Sequence, residues 1–285
     1  MKYALIEGER SRFPLLMMCR ILGVSRSGYY KWSARGPSRQ QLRRDETLQA
    51  VRNAFAASDR TYGSPRVHRE LRAQGRLHSR RFISTLMRRA NLRARAARKR
   101  RPGSGPPARI VAITNILQRR FTVEKINTVW VADFTFIRTG RGWLYLAVVM
   151  DLASRRVVGW SMRGMPDAGL VSEALEMALQ QRQPRRGLLL HSDRGVQYCS
   201  THYLDRLERA GITPSLSRLG NCWDNAVIES FFHTLKLERV NARPLYQTQA
   251  DAKRDLFEYI EVWYNQKRRH STLGYVSPAE YERRL

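Results

Sequence analysis

Three acidic residues stand in settings where a carboxylate could hold a divalent cation. Asp133 lies inside the apolar segment VWVADFTFI, Asp193 follows the run LLLHS, and Glu229 comes thirty-five intervening residues after Asp193. Mg²⁺ prefers hard oxygen ligands and takes only a few carboxylates. Two such ions about 4 Å apart can activate an attacking hydroxyl and stabilise a leaving oxygen in phosphoryl transfer. The sequence therefore suggests metal-assisted chemistry on a phosphate ester.

Each of these carboxylates also has a structural interpretation. Asp133 could pair with an arginine, Asp193 could belong to a turn or a helix cap, and Glu229 could be a solvated helix residue. Asp151 and Asp224 are rival carboxylates, which their contexts favour as turn or cap residues. An isolated charge on an apolar strand is costly to bury without a cation, and this favours a functional role for Asp133.

The segment from Asn221 to Lys236 predicts one amphipathic helix that would present the third carboxylate. At about 100° per residue its polar side carries Asn225, Glu229, His233 and Lys236, and its apolar side carries Val227, Ile228, Phe231, Phe232 and Leu235. Asp224 or Asn225 is a suitable N-cap. His233 and Lys236 lie on the side of the carboxylate, where they could face a polyanion.

The central part of the chain predicts a mixed α/β sheet that could bring these residues together. Residues 129–137 alternate between two faces, and residues 143–151 and 156–162 predict two further strands joined by turns. Helices and short strands then alternate up to residue 216. A central strand, the end of a neighbouring strand and a facing helix would supply one carboxylate each.

The charge of the chain indicates a polyanionic partner. The 285 residues include 52 Lys and Arg against 24 Asp and Glu, a formal net charge of +28. The excess is concentrated in residues 1–120, which hold 29 basic and 6 acidic residues, against 23 and 18 in residues 121–285. A hydrophobic content of 42% argues against general disorder as the reason. The N-terminal part therefore predicts a folded nucleic-acid-binding region.

Short helices in this region predict the DNA contacts. Residues 15–32 form a helix, a turn at Gly23 and a second helix capped by Ser25, which is typical of a helix-turn-helix, although a helical hairpin without base contacts is the alternative. Ser64-Pro65 predicts the start of a further helix, and residues 79–90 predict another. The basic side chains predicted to contact DNA are Arg26, Lys31, Arg66, Arg69, Arg80 and Arg81.

Composition also divides the chain into three parts. A helical DNA-binding region (1–92) is followed by a basic flexible linker (93–120), rich in Arg, Gly and Pro, and by a catalytic core with a C-terminal basic helix (121–285). After a predicted helix over residues 248–264, Lys267, Arg268 and Arg269 predict contact with a DNA backbone, with a solvated helix end as the alternative.

The cysteines and apolar runs predict the compartment. Three widely spaced cysteines form no CxxC pair, which favours free thiols in a reducing environment. The longest apolar run, near residues 143–150, has eight residues, and no signal sequence is visible. We therefore expect a cytoplasmic protein with no membrane contact.

Ordered motifs over nearly the whole chain resemble the second-frame product (OrfB) of the insertion-sequence transposases of the IS three family. The matching segments are YGSPRVHREL, VWVADFTFI, GWLYLAVVMDLASRRVVGW, LHSDRGVQY, GNCWDNAVIESFFHTLK and YNQKRRHSTLGYVSP. The resemblance implies an α/β, RNase-H-like mixed-sheet catalytic core like that of retroviral integrases, preceded by a small all-helical DNA-binding region. It assigns Asp133, Asp193 and Glu229 as the catalytic, metal-binding D, D, 35, E residues. It also places Lys236 on DNA near the cut.

The same resemblance implies an activity and its partners. A transposase of this kind hydrolyses DNA at the element's 3′ end and then uses the freed 3′ hydroxyl to attack another phosphodiester. The expected cofactor is a pair of Mg²⁺ ions, with Mn²⁺ as a substitute. Expected partners are the terminal repeats, target DNA, further copies of the chain and an upstream-frame product (OrfA), in a bacterial cytoplasm and on the nucleoid.

Two rival functions remain open at this point. An RNase-H-like nuclease would stop at hydrolysis, and this fold supports both outcomes. A DNA-binding regulator would carry an inert core, but the presence of all three carboxylates speaks against that alternative.

Overall fold

The N-terminal part of the protein is helical. The computed structural model describes residues 2–36, 38–95, 113–218 and 221–285. The helices of the first two ranges are α1 (Lys2–Gly8), α2 (Leu15–Ile21), α3 (Arg26–Ser33), α4 (Arg39–Ala57), α5 (Ser64–Ala73) and α6 (Arg80–Arg89). Ser25 and Ser79 accept hydrogen bonds from backbone N–H groups and cap α3 and α6. The two helices predicted over residues 15–32 and the later helices are confirmed, whereas α1 was not anticipated.

These helices bury two separate small cores. Ile6, Met18 and Tyr29 pack together among α1 to α3. Val51 and Ile83 belong to a second cluster among α4 to α6. The N-terminal part therefore consists of two three-helix units rather than one.

A five-stranded mixed sheet forms the centre of the second part. Its strands are β1 (Val129–Thr139), β2 (Gly142–Asp151), β3 (Val157–Arg163), β4 (Leu189–Ser192) and β5 (Thr213–Leu216). They lie in the order β3-β2-β1-β4-β5, with β1, β2 and β3 antiparallel and with β4 and β5 parallel to β1. The prediction of an α/β, RNase-H-like mixed sheet behind an all-helical region is confirmed.

Helices cover both faces of this sheet. The remaining helices are α7 (Ala168–Arg182), α8 (Thr201–Arg209), α9 (Ala226–Glu238), α10 (Gln249–Phe257) and α11 (Pro278–Arg283). Val131 and Ile137 of β1 pack in one core with Phe231 of α9, while Trp130 and Ala132 pack in a second core with α7 and α8. The alternation of β1 thus separates the two layers as its sequence predicts.

The C-terminal segment differs from the single helix predicted over residues 248–264. A capping box between Thr248 and Asp251 starts α10, but the chain then widens into a π-helical segment, Glu258–Tyr264. The segment that follows contacts the helical region: the backbone N–H of Arg269 donates to the Tyr62 hydroxyl at 2.9 Å, and its guanidinium pairs with Glu70 at 2.8 Å. The second three-helix unit is thereby joined to the core.

The predicted linker is too long at its C-terminal end. Residues 96–112, which hold most of it, lie outside the described residues. After them, the N–H of Ile116 donates to Ser215 Oγ at 2.9 Å, Leu117 is buried in the core, and Arg119 pairs with Asp224 at 2.8 Å. Residues 113–120 therefore pack with the core, ahead of the boundary at 121.

Candidate active site

Sheet register brings the first two carboxylates together. Strands β1 and β4 are parallel, with Ala132 opposite Ser192, so Asp133 and Asp193 are the next residues along neighbouring strands. Asp133 Oδ1 accepts from the Phe134 N–H at 2.8 Å, and Asp193 Oδ1 accepts from the Gly195 N–H at 2.9 Å. Each carboxylate therefore keeps one oxygen on a backbone donor.

The third carboxylate comes from α9. Ile228, Phe231 and Leu235 are buried beneath this helix, whereas Glu229 and His233 are exposed. The predicted apolar and polar sides are therefore confirmed for these residues. The start of the helix differs, because residues Cys222–Asn225 form a 3₁₀ turn and Asn225 makes no side-chain capping bond.

The pKa values of the three carboxylates show that the groups interact. Burial and then the neighbouring Asp193 raise the pKa of Asp133 well above its ordinary value, and Glu229 adds to the rise. Burial raises the pKa of Asp193. Glu229 is exposed as a residue, but partial desolvation of its carboxyl group and the charge of Asp193 raise its pKa. Like charges held together in this way favour the neutral forms, and a bound cation would relieve their repulsion.

Lys236 lies beside the same carboxylates. Its ammonium group lowers the pKa of Asp133, and its Nζ lies 4.7 Å from the centroid of the Phe136 ring. The Lys236 side chain is half-buried and extends from α9 towards the C-terminal end of β1. The structure therefore brings together Asp133, Asp193, Glu229 and Lys236, with His233 exposed on the same helix.

The rival carboxylates have structural roles. Asp151 accepts from the N–H groups of Asn127, Ala153 and Ser154, which confirms the turn interpretation. Asp224 is buried, and its pKa is lowered chiefly by a hydrogen bond from Arg218, with further bonds from Arg119 and Asn115. The interpretation of Asp224 as a helix cap is wrong, because its oxygens accept from the backbone and side chain of Arg218 and from the side chains of Arg119 and Asn115 instead.

The remaining basic residues differ in accessibility. Those that are exposed are Arg26, Lys31, Arg69, Arg80, Arg81 and Lys267. Arg66 is partly buried over the Tyr62 ring, and Arg269 is tied to Glu70 and to the Tyr275 carbonyl. Arg268 is buried and pairs with Glu238 through two hydrogen bonds of 2.8 and 2.9 Å. This placement removes Arg268 from the set of predicted DNA contacts.

The donors at the site suit a hard divalent cation held by few protein ligands. Within the four described ranges, no group of three or more His, Cys, Asp or Glu side chains is arranged to hold a metal ion. Two adjacent carboxylates do meet the requirement of Mg²⁺, which keeps several waters and is often held by one or two carboxylates. Burial and the like charge of Asp193 raise the pKa of Asp133, and a bound cation would offset both effects.

The same repulsion predicts an effect on stability. When folding raises the pKa of a carboxyl group, the protonated group contributes stability at pH values below its ordinary pKa, near 3.9. That contribution is lost as the pH rises through the raised pKa. Ionised Asp133 therefore weakens the metal-free protein at pH 7, and Asp133→Asn should raise its Tm there but not at about pH 4. Thermal unfolding in EDTA, followed by circular dichroism, measures this. A Tm at pH 7 that is unchanged or lower contradicts the interpretation.

Comparison with known proteins assigns both parts of the chain to known families. Two models described as an integrase core domain match residues 123–222 and 210–278, and a model of an HTH-like domain matches residues 42–100. The HTH-like match covers the second three-helix unit, α4 to α6. "Transposase InsF for insertion sequence IS3A" of Escherichia coli (strain K12) is 42% identical over 285 residues, covering 99% of this chain and 98% of the relative. The chain belongs to the transposases of the IS3 family.

One further relative covers nearly the whole chain, and two solved structures cover a little more than half of it. The "Insertion element IS600 uncharacterized 31 kDa protein" of Shigella sonnei is 38% identical and covers 93% of this transposase and 97% of the relative. The HTLV-2 integrase catalytic core, solved in complex with magnesium, is 16% identical with a TM-score of 0.43, covering 56% of this chain and 98% of that one. The BIV integrase core is 21% identical with a TM-score of 0.40, covering 55% and 95%.

The full-length relative and the family models establish the class of the protein. It is an insertion-sequence transposase, an enzyme with an integrase-type catalytic core of the DDE phosphoryl-transfer class, and its HTH-like domain and core imply that it binds DNA. In the described part of the chain, no helix is long and apolar enough to cross a membrane.

Proposed function

We propose that this transposase cleaves DNA at the 3′ ends of its element and joins the freed 3′ hydroxyl to target DNA, with Asp133, Asp193 and Glu229 as its catalytic carboxylates. The observation that carries this proposal is the pair of carboxylates on neighbouring parallel strands, whose pKa values are raised beside a glutamate on a facing helix. The two structural aspartates differ from this pair, because Asp224 is paired with Arg119 and Arg218 and Asp151 accepts three backbone N–H hydrogen bonds.

The cofactor in this proposal is Mg²⁺, as a pair of ions that Mn²⁺ can replace. Asp133 and Asp193 would hold one ion between them, and Glu229 with one of the aspartates would hold the other. Bound Mg²⁺ supplies neutralisation of the scissile phosphate and activation of the attacking oxygen. The backbone N–H groups of Phe134 and Gly195 each hold one oxygen of the two aspartates in place.

Lys236 is proposed to hold a phosphate beside the scissile bond. It lies two helical turns from Glu229, about 10 Å along the axis at 1.5 Å per residue, and close enough to Asp133 to lower the pKa of that group. Its ammonium can therefore contact the strand that the carboxylates act upon. Exposed His233, one turn after Glu229, is a hydrogen-bonding neighbour of the same strand in this proposal.

A prediction about joining follows for Lys236. Lys236→Ala should reduce joining of specific ends by about tenfold or more, because a hydrogen bond to a charged group contributes about 1.5–3 kcal/mol. Lys236→Arg should keep part of the activity, since the charge remains while the geometry changes. Strand transfer of labelled ends measures both variants. Crosslinks from position 236 that map only to DNA more than a helical turn from the cut would contradict the assignment.

Cleavage and joining of labelled element ends separate this proposal from its rivals. The transposase should yield both a cleaved 3′ end and joined product in Mg²⁺ or Mn²⁺. Cleavage without joined product would instead identify an RNase-H-like nuclease. DNA binding without either product, with and without the upstream-frame product, would identify a regulator with an inert core.

The rest of the chain is proposed to serve the same reaction. The helical region to about residue 92 binds the terminal repeats through Arg26, Lys31, Arg66, Arg69, Arg80 and Arg81. Lys267 and Arg269 of the C-terminal segment add further contacts. Each phosphate neutralised in this way releases counterions, which makes binding salt-dependent. The transposase acts in this proposal as an oligomer on DNA, in the bacterial cytoplasm and with the upstream-frame product OrfA.

A further inference from the structure

A cleft of about 300 Å³ lies between helix α9 and the helical region. Ser230 and Thr234 of α9 form part of its wall, and each directly follows a residue on the carboxylate side of the helix, Glu229 and His233 respectively. Arg66 of α5 and Arg155, in the turn after β2, line the same cleft. It therefore meets both the HTH-like domain and the helix that carries Glu229.

The wall of this cleft is positively charged. Arg268 also lines it, so three guanidinium groups face one space, and no carboxylate is among its described lining residues. Glu238 neutralises Arg268 at 2.8 Å. Within the described part of the chain, no carboxylate lies within ion-pair distance of Arg66 or Arg155. Arg66 and Arg155 are thus not directly paired, although Glu238 and Asp151 act on them through space and raise their pKa values against the effect of burial.

Arg155 carries a hydrogen-bond donor that nothing in the described chain accepts. Its Nη2 donates to the Phe121 carbonyl at 3.0 Å, but its Nη1 is buried with no partner among the described residues. The residue also holds a left-handed backbone conformation, with φ at 59°. An unpaired buried donor costs free energy, more so on a charged group, and an anionic oxygen is the acceptor that would satisfy it.

The ionisation of His270 reports the same positive potential. Burial and the nearby Arg268, Arg66 and Arg155 hold its pKa well below the ordinary value, so the imidazole is neutral at pH 7. Its Nε2 lies 3.4 Å from Arg268 Nη1, which makes Nε2 the acceptor and leaves the proton on Nδ1. Burial and Arg268 likewise lower the pKa of Arg66. An anion entering the cleft would therefore be strongly favoured.

We propose that this cleft binds a phosphate group of the DNA backbone, held by Arg66, Arg155 and the hydroxyls of Ser230 and Thr234. Free phosphate shares the same chemistry, but the walls favour DNA because they join the HTH-like domain to the catalytic helix. A phosphodiester seated there fixes the bound end relative to Glu229. The choice of DNA as the ligand rests on the proposed function, whereas the anion site itself rests on the cleft.

The experiment uses the full chain and duplexes of the element's end in which single phosphates are replaced by neutral methylphosphonates. In the wild type, one or two replacements should weaken binding by about tenfold or more. Arg155→Gln and Arg66→Gln should bind unmodified DNA about tenfold more weakly and lose sensitivity at those same positions. The control is Arg72→Gln, an exposed arginine on α5 that should keep the wild-type pattern.

Two results would overturn the proposal. If both variants stay as sensitive as the wild type at every position, no DNA phosphate enters the cleft. If inorganic phosphate raises the Tm of the wild type but not of Arg155→Gln, while the DNA pattern is unchanged, the cleft takes a free anion instead. Circular dichroism checks folding, and Arg66→Gln tests the site without breaking the bond to Phe121. Because this assay measures binding, it is independent of whether Asp133 is catalytic.

Discussion

Asp133→Asn should abolish both cleavage and joining while DNA binding stays close to that of the wild type. The change removes one charge and keeps the size of the side chain, so the fold and the basic surfaces are preserved. We expect activity to fall by at least about a thousandfold, which corresponds to about 4 kcal/mol in the barrier. That is the scale on which metal ions stabilise charge in phosphoryl transfer. Asp193→Asn and Glu229→Gln should behave in the same way.

Labelled element ends measure the activity, and titration of the same DNA in Ca²⁺ measures binding without turnover. Asp205→Asn, which changes an exposed aspartate on α8, is the matched control and should remain active. More than about a tenth of wild-type cleavage in any of the three variants would limit the loss to about 1.4 kcal/mol. Such a residue would not be an essential ligand.

The combination of this loss with the Tm gain expected for metal-free Asp133→Asn is diagnostic. Neutralising a carboxylate that stabilises the fold lowers the stability of the protein. Neutralising one that is held in place for a cation raises the stability of the metal-free protein. The pKa of Asp133 is raised by burial and by Asp193, so ionisation of this group costs the fold free energy. Sites that work against stability in this way are expected where function requires them.

The sequence predicts much of the site because its signals are local. The alternation around Asp133, the apolar run before Asp193 and the amphipathic period around Glu229 depend on neighbours within a few residues. The sheet then needs only its parallel register to bring the aspartates together. For the same reason, the helix cap at Ser25 is predicted correctly.

Long-range pairs account for what the sequence does not predict. Asp224 has the spacing of a helix cap, but besides Arg218 it binds Arg119, which comes 105 residues earlier in the chain. The unpaired donor of Arg155 depends on Phe121 and on α9, and nothing in its local sequence, SRR, indicates a cleft. Whether a basic residue faces solvent or a buried acid is decided by tertiary packing. A cluster of positive charge alone cannot reveal it.

Arg268 is the clearest example, and it gives the second large prediction. Its side chain is 6% exposed and its partner Glu238, thirty residues earlier, is 7% exposed. Glu238 also accepts from the Tyr259 hydroxyl at 3.0 Å. Removing one partner of a buried pair leaves the other charge uncompensated. Arg268→Ala should therefore lower the free energy of unfolding by about 3–5 kcal/mol.

Denaturant unfolding measures this loss. Lys267→Ala is the control, because Lys267 is next to Arg268 in the chain but has an exposed side chain. Lys267→Ala should change stability by less than about 0.5 kcal/mol. If Lys267 contacts a phosphate, it should also reduce the slope of log affinity against log salt by about 0.9. Arg268→Met combined with Glu238→Gln should recover part of the stability, since no buried charge remains. Arg268→Ala could instead keep full stability and reduce the slope of log affinity against log salt. Arg268 would then be a DNA contact that becomes exposed when DNA binds.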